Sequence, residues 1–344
     1  MKIAYIFAYF GDGGAEAHAL ILAKKARESG NEVMFIIDKL TATAQRRLKD
    51  NKIDFVYLPM ESSYNPIKMI KSIRSLKKTI KEKKIDIIHA HMLREQMITN
   101  YTKLFGCKVI LVRTFHRFDQ FNRQMKLLMP LFCKYTDAFI AISEQMNIYM
   151  KNNGLKDKVH LILNGVEKVD APRHESAIGF IGRLTHEKGI LSFIEQNTLI
   201  FGKTKLVVAG DGPDYEEVKK IVERECLDVE LMGNVANRAE FFKKISVLVL
   251  PSETEVMPMV VLEAYSCGVP VVAFNLESLK NIVKPENGQL VEFPNYQEMA
   301  KEAVDMLSNI NNYSQANILA FDQSYSSDAM WQKTFELYCA LTKH

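Results

Sequence analysis

The sequence predicts an α/β protein made of two Rossmann-like domains, and three observations carry that prediction. Short β-rich runs alternate with helical patterns along the whole chain, glycine-bearing turns follow several of those runs directly, and the charge changes sign at Gly165. Alternation of this kind means βαβ units and a parallel sheet covered on both faces. At about 150 residues per domain, a chain of 344 residues holds two domains and little more. With 47% hydrophobic and 25% charged residues and only 16 Gly and 10 Pro, disordered and collagenous classes are excluded.

In the first half the runs at residues 2–10, 32–37, 85–90, 108–115, 137–142 and 159–163 read as strands, each followed by a helical pattern or a junction. The second half repeats the arrangement with strands at 177–181, 205–209, 229–232, 247–250, 269–273 and 289–292. The join at Leu163-Asn164-Gly165-Val166 is short and carries no low-complexity linker. Ligands of open α/β sheets bind outside the carboxyl ends of the strands, so two such domains facing each other make one deep cleft, where the chemistry is expected.

Cys107, Cys133, Cys226, Cys267 and Cys339 form no CxxC pair, which argues against a zinc ribbon or a disulfide framework and for reduced thiols in a cytoplasm. The first apolar stretch runs into Gly11-Asp12-Gly13-Gly14, the wrong continuation for a cleaved signal. No uninterrupted apolar run approaches the about 18 residues of a spanning helix. The expected location is the cytoplasm or the cytoplasmic face of a membrane. Residues 1–165 hold 28 Lys and Arg against 15 Asp and Glu, a net +13, and residues 166–344 hold 17 against 26, a net −9. A basic half suggests an anionic partner such as a membrane, a diphosphate lipid or nucleic acid.

Three turns could carry chemistry. The first, Gly11 to Glu16, opens a helix, where backbone N–H groups and the helix dipole favour an anion. As a dinucleotide fingerprint it is defective because its third glycine falls on Glu16, although Asp38 stands where a ribose-binding acid would; an NAD(P) oxidoreductase is therefore a rival reading. The second, Gly182 to Gly189, places Arg183 and Lys188 in one loop after a strand, where a guanidinium and an ammonium suit a diphosphate. The third runs from Pro251 to Ala264. Glu255 lies just past a strand, and Glu263 lies in a helix among Val260, Val261, Leu262 and Ala264. A buried carboxylate needs a polar partner, and a vicinal diol such as ribose would supply one. His89 and His91 share one face of a strand, but without a third ligand they read as a packed, hydrogen-bonded strand end rather than a metal site.

Together these residues resemble the GT-B glycosyltransferases of the retaining family 4. The motifs are GGAE at Gly13 to Glu16, NGV at Asn164 to Val166, GRL and EKG at Gly182 to Gly189, AGDGP at Ala209 to Pro213, and Glu255 to Glu263 with its GVPVVA sequel. The resemblance implies an acceptor-binding domain at 1–165, a nucleotide-sugar-binding domain at 166–325, and a helix at 326–344 crossing back to the first domain, with Trp331 near its start. It implies that Arg183 and Lys188 grip the donor diphosphate, that Glu263 binds ribose, and that Glu255 sits over the sugar ring. Gly14, Gly182, Met257, Pro258 and Met259 would complete the donor site. His116 would touch the sugar 6-hydroxyl and line the reaction centre, with Gly13, Glu16 and Arg117 on the acceptor side.

The activity so implied is retaining transfer of a hexose, from a UDP-hexose or UDP-N-acetylhexosamine, to a hydroxyl of a lipid-linked saccharide in cell-surface glycan assembly. No Asp-x-Asp occurs in the chain, so no metal is expected, and the resemblance implies no other cofactor and no nucleic-acid partner. Val256 replaces the family's glycine after Glu255, and Leu276 to Asn281 replaces a glycine-rich turn. These departures imply an altered donor pocket, and a non-catalytic sugar-binding subunit on the same fold is the alternative they raise. Membrane docking is expected from two basic segments. Pro66 to Lys84 carries Ile67, Ile70, Ile73, Leu76 and Ile80 as a stripe among lysines, and Arg117 to Tyr135 carries Arg117, Arg123, Lys126 and Lys134 among apolar residues.

Overall fold

A computed structural model describes residues 1–60, 66–118, 130, 133–171 and 175–343, without the side chains of 66–68. Two units result: Met1–Gly165 with Ser327–His344, and Val166–Ser326.

The sheet of the first unit holds β1 (Lys2–Phe10), β2 (Glu32–Leu40), β3 (Asp54–Tyr57), β4 (Ile87–Ala90), β5 (Ile110–Phe115), β6 (Ala138–Ala141) and β7 (Val159–Leu161), in the order β3-β2-β1-β4-β5-β6-β7. All its pairings are parallel, with Tyr5 of β1 opposite Phe35 and His89. Every residue of β4 and β6 is buried, which is why β6 reads as an unbroken apolar run and β4 as one interrupted only by His89, rather than as alternating strands. The sequence reading missed β3. It has only four residues, Asp-Phe-Val-Tyr, none fully buried, on the sheet edge, so it carries neither a long apolar run nor a clear alternation.

The second sheet holds β8 (Ile178–Ile181), β9 (Leu206–Ala209), β10 (Val229–Gly233), β11 (Val247–Leu250), β12 (Val271–Phe274) and β13 (Gly288–Val291), ordered β10-β9-β8-β11-β12-β13 and again parallel. Its core joins Phe180, Phe193, Phe201 and Val249 to Met299 and Ala303 of the helix Tyr296–Leu307. Asn295 starts that helix by accepting the Glu298 amide at 3.0 Å, a cap that satisfies one of the orphan donors of a first turn.

The last helix, Ser327–Thr342, packs in the first unit. Met330, Trp331, Leu337 and Tyr338 enter the core formed by β1, β2 and the helix Gly14–Glu28. Trp331 Nε1 donates to Ser29 Oγ at 2.7 Å, and Lys25 pairs with Asp328 at 2.8 Å.

The opposite face of the first sheet corrects one expectation. Ile73, Leu76 and Ile80 of the helix Pro66–Lys83 are buried against Ile6, Ile36 and Ile88, so the apolar stripe proposed for a membrane is core. Ile70 is exposed, as are Lys71, Arg74, Lys77, Lys78, Lys81, Lys83 and Lys84. Ile67 and most of the second basic segment, including Arg123 and Lys126, lie outside the described residues. Among the described residues no helix is long and apolar enough to cross a membrane.

Candidate functional site

In the second unit the chain leaves β8 outward to β9 and β10, then returns to β11 on the other side of β8. That reversal is a topological switch point, the place where open α/β sheets hold ligands. It sets the loops after β8 and β11 side by side, and they are laced together. The Glu253 amide donates to the Glu187 carbonyl at 2.9 Å, and Lys188 Nζ donates to Glu255 Oε1 at 2.6 Å. The loop after β9 joins from the other side through Leu184 N to Asp211 O at 3.0 Å.

Three glycines permit this closeness. Gly189 has φ +70, and a Cβ there would lie 2.0 Å from the Pro251 carbonyl oxygen. Gly210, at φ +136, would meet the Gly182 carbonyl at 1.8 Å, and Gly212 the Leu184 carbonyl at 2.2 Å. Backbone cannot yield as a flexible side chain does. Gly189→Ala is therefore expected to cost roughly 3 kcal/mol or more of stability, read as a lowered midpoint of chemical denaturation, whereas Gly202→Ala, where a Cβ meets nothing closer than 3.4 Å, should leave that midpoint nearly unchanged.

Arg183 is exposed at the start of the loop after β8, with no carboxylate in ion-pair distance among the described residues. The two residues expected to act on different parts of a donor, Lys188 and Glu255, are bonded to each other, and the Glu255 side chain is 9% exposed. Glu263 lies in the helix Met259–Ser266 with its side chain 15% exposed and its Oε2 buried, and burial raises its carboxyl above the usual range, against the pull of Arg238. Arg238 Nε stands 3.6 Å from Glu263 Oε2, beyond hydrogen-bond reach, and that oxygen has no hydrogen-bond partner among the described residues. Pro258 precedes the helix as its cap, Met257 is buried, and Met259 is half-buried.

Sequence reasoning missed Arg238, Ser252, Thr185 and Ser278. Ser278 Oγ donates to the Glu255 carbonyl at 2.6 Å, so the non-glycine turn at Leu276 to Asn281 is tied directly to the loop of Glu255 and Val256. The buried hydroxyls of Thr185 and Ser252 make no hydrogen bond among the described residues. Isolated polar residues in loops carry no local signal of this kind.

In the first unit the switch lies between β1 and β4. Gly13 caps the helix Gly14–Glu28, and a Cβ on Gly13 would stand 2.5 Å from Glu16 Oε2. The Glu16 carboxylate thus folds over the turn where a dinucleotide fingerprint needs its third glycine. A Cβ on Gly14 would meet nothing within 4 Å. Beside this turn, His89, His91 and His116 at the ends of β4 and β5 and His18 of the first helix gather into one cluster. His91 stacks on His89 at 4.6 Å between ring centroids and on Phe7 at 4.9 Å. His91 Nδ1 lies 2.9 Å from His116 Nε2. His89 bonds Tyr338 OH at 2.6 Å and Thr114 Oγ1 at 2.7 Å, and His18 bonds Asn164 of the NGV segment at 2.9 Å. Arg117 is exposed. Among the described residues no three His, Cys, Asp or Glu are arranged to hold a metal ion.

Comparison with known proteins agrees with this architecture. Residues 12–168 match the model described as Glycosyltransferase Family 4, and residues 175–309 the model described as Glycosyl transferases group 1. The chain is 25% identical over 333 residues, covering 91% of itself and 90% of the other, to a Campylobacter jejuni α-1,4-N-acetyl-D-galactosaminyltransferase named for a diNAcBac-PP-undecaprenol-linked acceptor. It is 28% identical over 262 residues, 66% of itself and 67% of the other, to an Escherichia coli UDP-Gal:α-D-GlcNAc-diphosphoundecaprenol α-1,3-galactosyltransferase. The solved Anabaena protein HepE in complex with UDP and glucose superposes with a TM-score of 0.84 at 18% identity, covering 99% of this chain and 100% of that one. Two parallel-sheet Rossmann-like units, a first half matching one glycosyltransferase model and a second half matching another together place this chain among the GT-B glycosyltransferases of family 4 and group 1.

Proposed function

We propose that this glycosyltransferase moves a hexose or N-acetylhexosamine from a UDP-sugar to a hydroxyl of a lipid-linked saccharide, with retention of anomeric configuration and without a metal ion. The observation that carries the donor site is the joined pair of loops after β8 and β11, with Lys188 on Glu255 and a Glu263 whose buried Oε2 has no hydrogen-bond partner among the described residues. A ribose diol donating to Glu263 would satisfy that oxygen. Arg183 and Lys188 would hold the diphosphate, where fixed positive charge stabilises the negative charge that develops on departure. Glu255, Met257, Pro258 and Met259 would face the sugar. Gly14 and Gly182 would offer backbone close to the phosphates, and His116 a ring nitrogen to a sugar hydroxyl. Gly13, Glu16 and Arg117 would face the acceptor.

The bond between the anomeric carbon and the diphosphate oxygen breaks, the acceptor oxygen bonds to the same face, and its proton passes to the departing phosphate. The diphosphate-linked undecaprenol in the names of both relatives, the UDP-Gal in the name of the Escherichia coli one and the UDP in the solved structure support these choices for donor and acceptor. Binding and turnover test the reading. Glu263→Ala should weaken free UDP as well as UDP-sugar by about tenfold, the loss of a hydrogen bond to a charged group, while Glu255→Ala should leave free UDP unchanged by calorimetry and lower turnover. Equal loss of UDP affinity in both variants would overturn the division of roles, and an inverted product anomer by NMR would overturn retention.

The exposed lysines of the helix Pro66–Lys83 support a location on an anionic membrane surface, each contributing about 1 kcal/mol near such a surface. Sedimentation with vesicles should show binding that requires anionic lipid and weakens as salt cuts the screening length from about 8 Å to about 3 Å. Equal partition to neutral and anionic vesicles would leave a soluble acceptor as the better reading.

A further inference from the structure

The histidine cluster holds a contact, between His91 and His116, that the donor-site reading leaves unexplained. His91 and His116 share a single hydrogen bond, Nδ1 to Nε2 at 2.9 Å, and between two neutral imidazoles one ring must give the proton and the other accept it. Two arrangements satisfy the pair. In one, His116 donates from Nε2, so His91 accepts at Nδ1 and carries its own proton on Nε2. In the other, His91 donates from Nδ1, its Nε2 is a bare acceptor, and His116 carries its proton on Nδ1.

The surroundings of His91 choose between them. Its Nε2 is fully buried and has no hydrogen-bond partner among the described residues. A buried N–H without a partner is rarer and costlier than an acceptor left under-satisfied, so the first arrangement is disfavoured and the second stands. The ring of His91 is also held in place. Phe7 lies nearly parallel to it, with 11° between planes, and His89 follows at 23°. His89 is in turn fixed at both nitrogens by Tyr338 and Thr114. Burial, with the neighbouring imidazoles and Arg113, holds both His91 and His116 well below the usual histidine range, so both rings are neutral near pH 7.

We infer that His91 is a positioning residue that sets the tautomer of His116, leaving the proton of His116 on Nδ1. The catalytic consequence rests on the reading of His116 under Proposed function; the tautomer itself does not. Nitrogen-15 NMR of the full-length protein labelled at histidine reports which nitrogen of His116 bears the proton. Wild type is expected to show Nδ1–H. His91→Phe, which keeps the stacking and removes the donor, should release His116 toward the Nε2–H form and lower kcat by about tenfold, with the donor KM changed less than about twofold. His91→Asn, whose amide nitrogen lies near the place of Nδ1, should restore both the tautomer and most of kcat. An Nε2–H signal for His116 in wild type, or an unchanged Nδ1–H signal in a folded His91→Phe, overturns the inference. Wild-type turnover in His116→Ala would instead overturn the role of His116, while the NMR result alone would still decide the tautomer.

Discussion

Lys188→Ala is expected to lower sugar transfer by about 100-fold or more and to destabilise the second unit, whereas Arg183→Ala should lower transfer by about tenfold and leave stability nearly unchanged. The difference follows from what each cation touches. Arg183 is exposed and pairs with no carboxylate among the described residues, so on the proposed donor site its loss would remove only one charge-assisted bond to the diphosphate, about 1.5–3 kcal/mol. Lys188 is bonded at 2.6 Å to Glu255, whose side chain is 9% exposed. Its removal leaves a mostly buried carboxylate without its counter-charge, a change of about 3 kcal/mol or more in comparable sites, and on the proposed donor site would also take away a phosphate contact. The same carboxylate would then repel the donor phosphates. Adding Glu255→Gln to Lys188→Ala should recover the denaturation midpoint, because no buried charge is left unpaired, without recovering turnover. Initial rates with UDP-sugars and denaturation curves measure the two effects separately. Turnover near wild type in Lys188→Ala would remove the residue from the donor site.

Acid should unfold the first unit well above the pH at which its carboxylates protonate. Burial lowers the His18 pKa to about 4, although its bond to Asn164 pulls the other way, and burial together with neighbouring charges holds His89, His91 and His116 well below the usual value. In the unfolded chain each titrates near pH 6.5. Below that pH the unfolded state binds more protons than the folded one, so the stability present above about pH 6.5 is lost as pH falls toward the folded values. For His18 alone the loss on reaching about pH 4 is about 3 kcal/mol, a large part of the about 5–15 kcal/mol that holds a domain folded. The single tryptophan, Trp331, lies in this unit's core, so its fluorescence follows this unit. Denaturation midpoints read from it should fall steadily from pH 7 to pH 5, and His18→Asn should flatten part of that slope. A midpoint independent of pH over this range would show that the cluster is hydrated or charged in the folded state.

Much of the fold was legible because it is encoded in short windows. Buried parallel strands such as β11 and β6 are apolar at every position, and the helix between two strands must present an apolar stripe every three or four residues. That glycine-bearing turns follow the strands was legible too, but which glycine is required was not: a Cβ on Gly182 would meet only the Phe180 side chain at 3.3 Å, whereas Gly189 and Gly210 stand where other backbone lies about 2 Å from where a Cβ would be. The charge asymmetry and the order of the motifs were properties of the chain alone.

Strand order decided the rest. Lys188 and Glu255 are 67 residues apart and meet because β11 returns to lie beside β8; nothing in either loop announces the other. His91 and His116 meet because β4 pairs with β5 in a register that sets His89 opposite Val112 and Ala90 opposite Arg113. Which side of the helix Pro66–Lys83 faces protein was likewise a tertiary matter, since an apolar stripe is equally suited to a sheet or a bilayer until the sheet is there to cover it. Sequence by itself determined all the strands but the short edge strand β3, the glycine-bearing turns that follow them, and which residue types are available for binding a phosphorylated sugar. Only the tertiary structure decided which of those residues face one another, because contacts between distant segments depend on crossover connections and not on any periodicity within a segment.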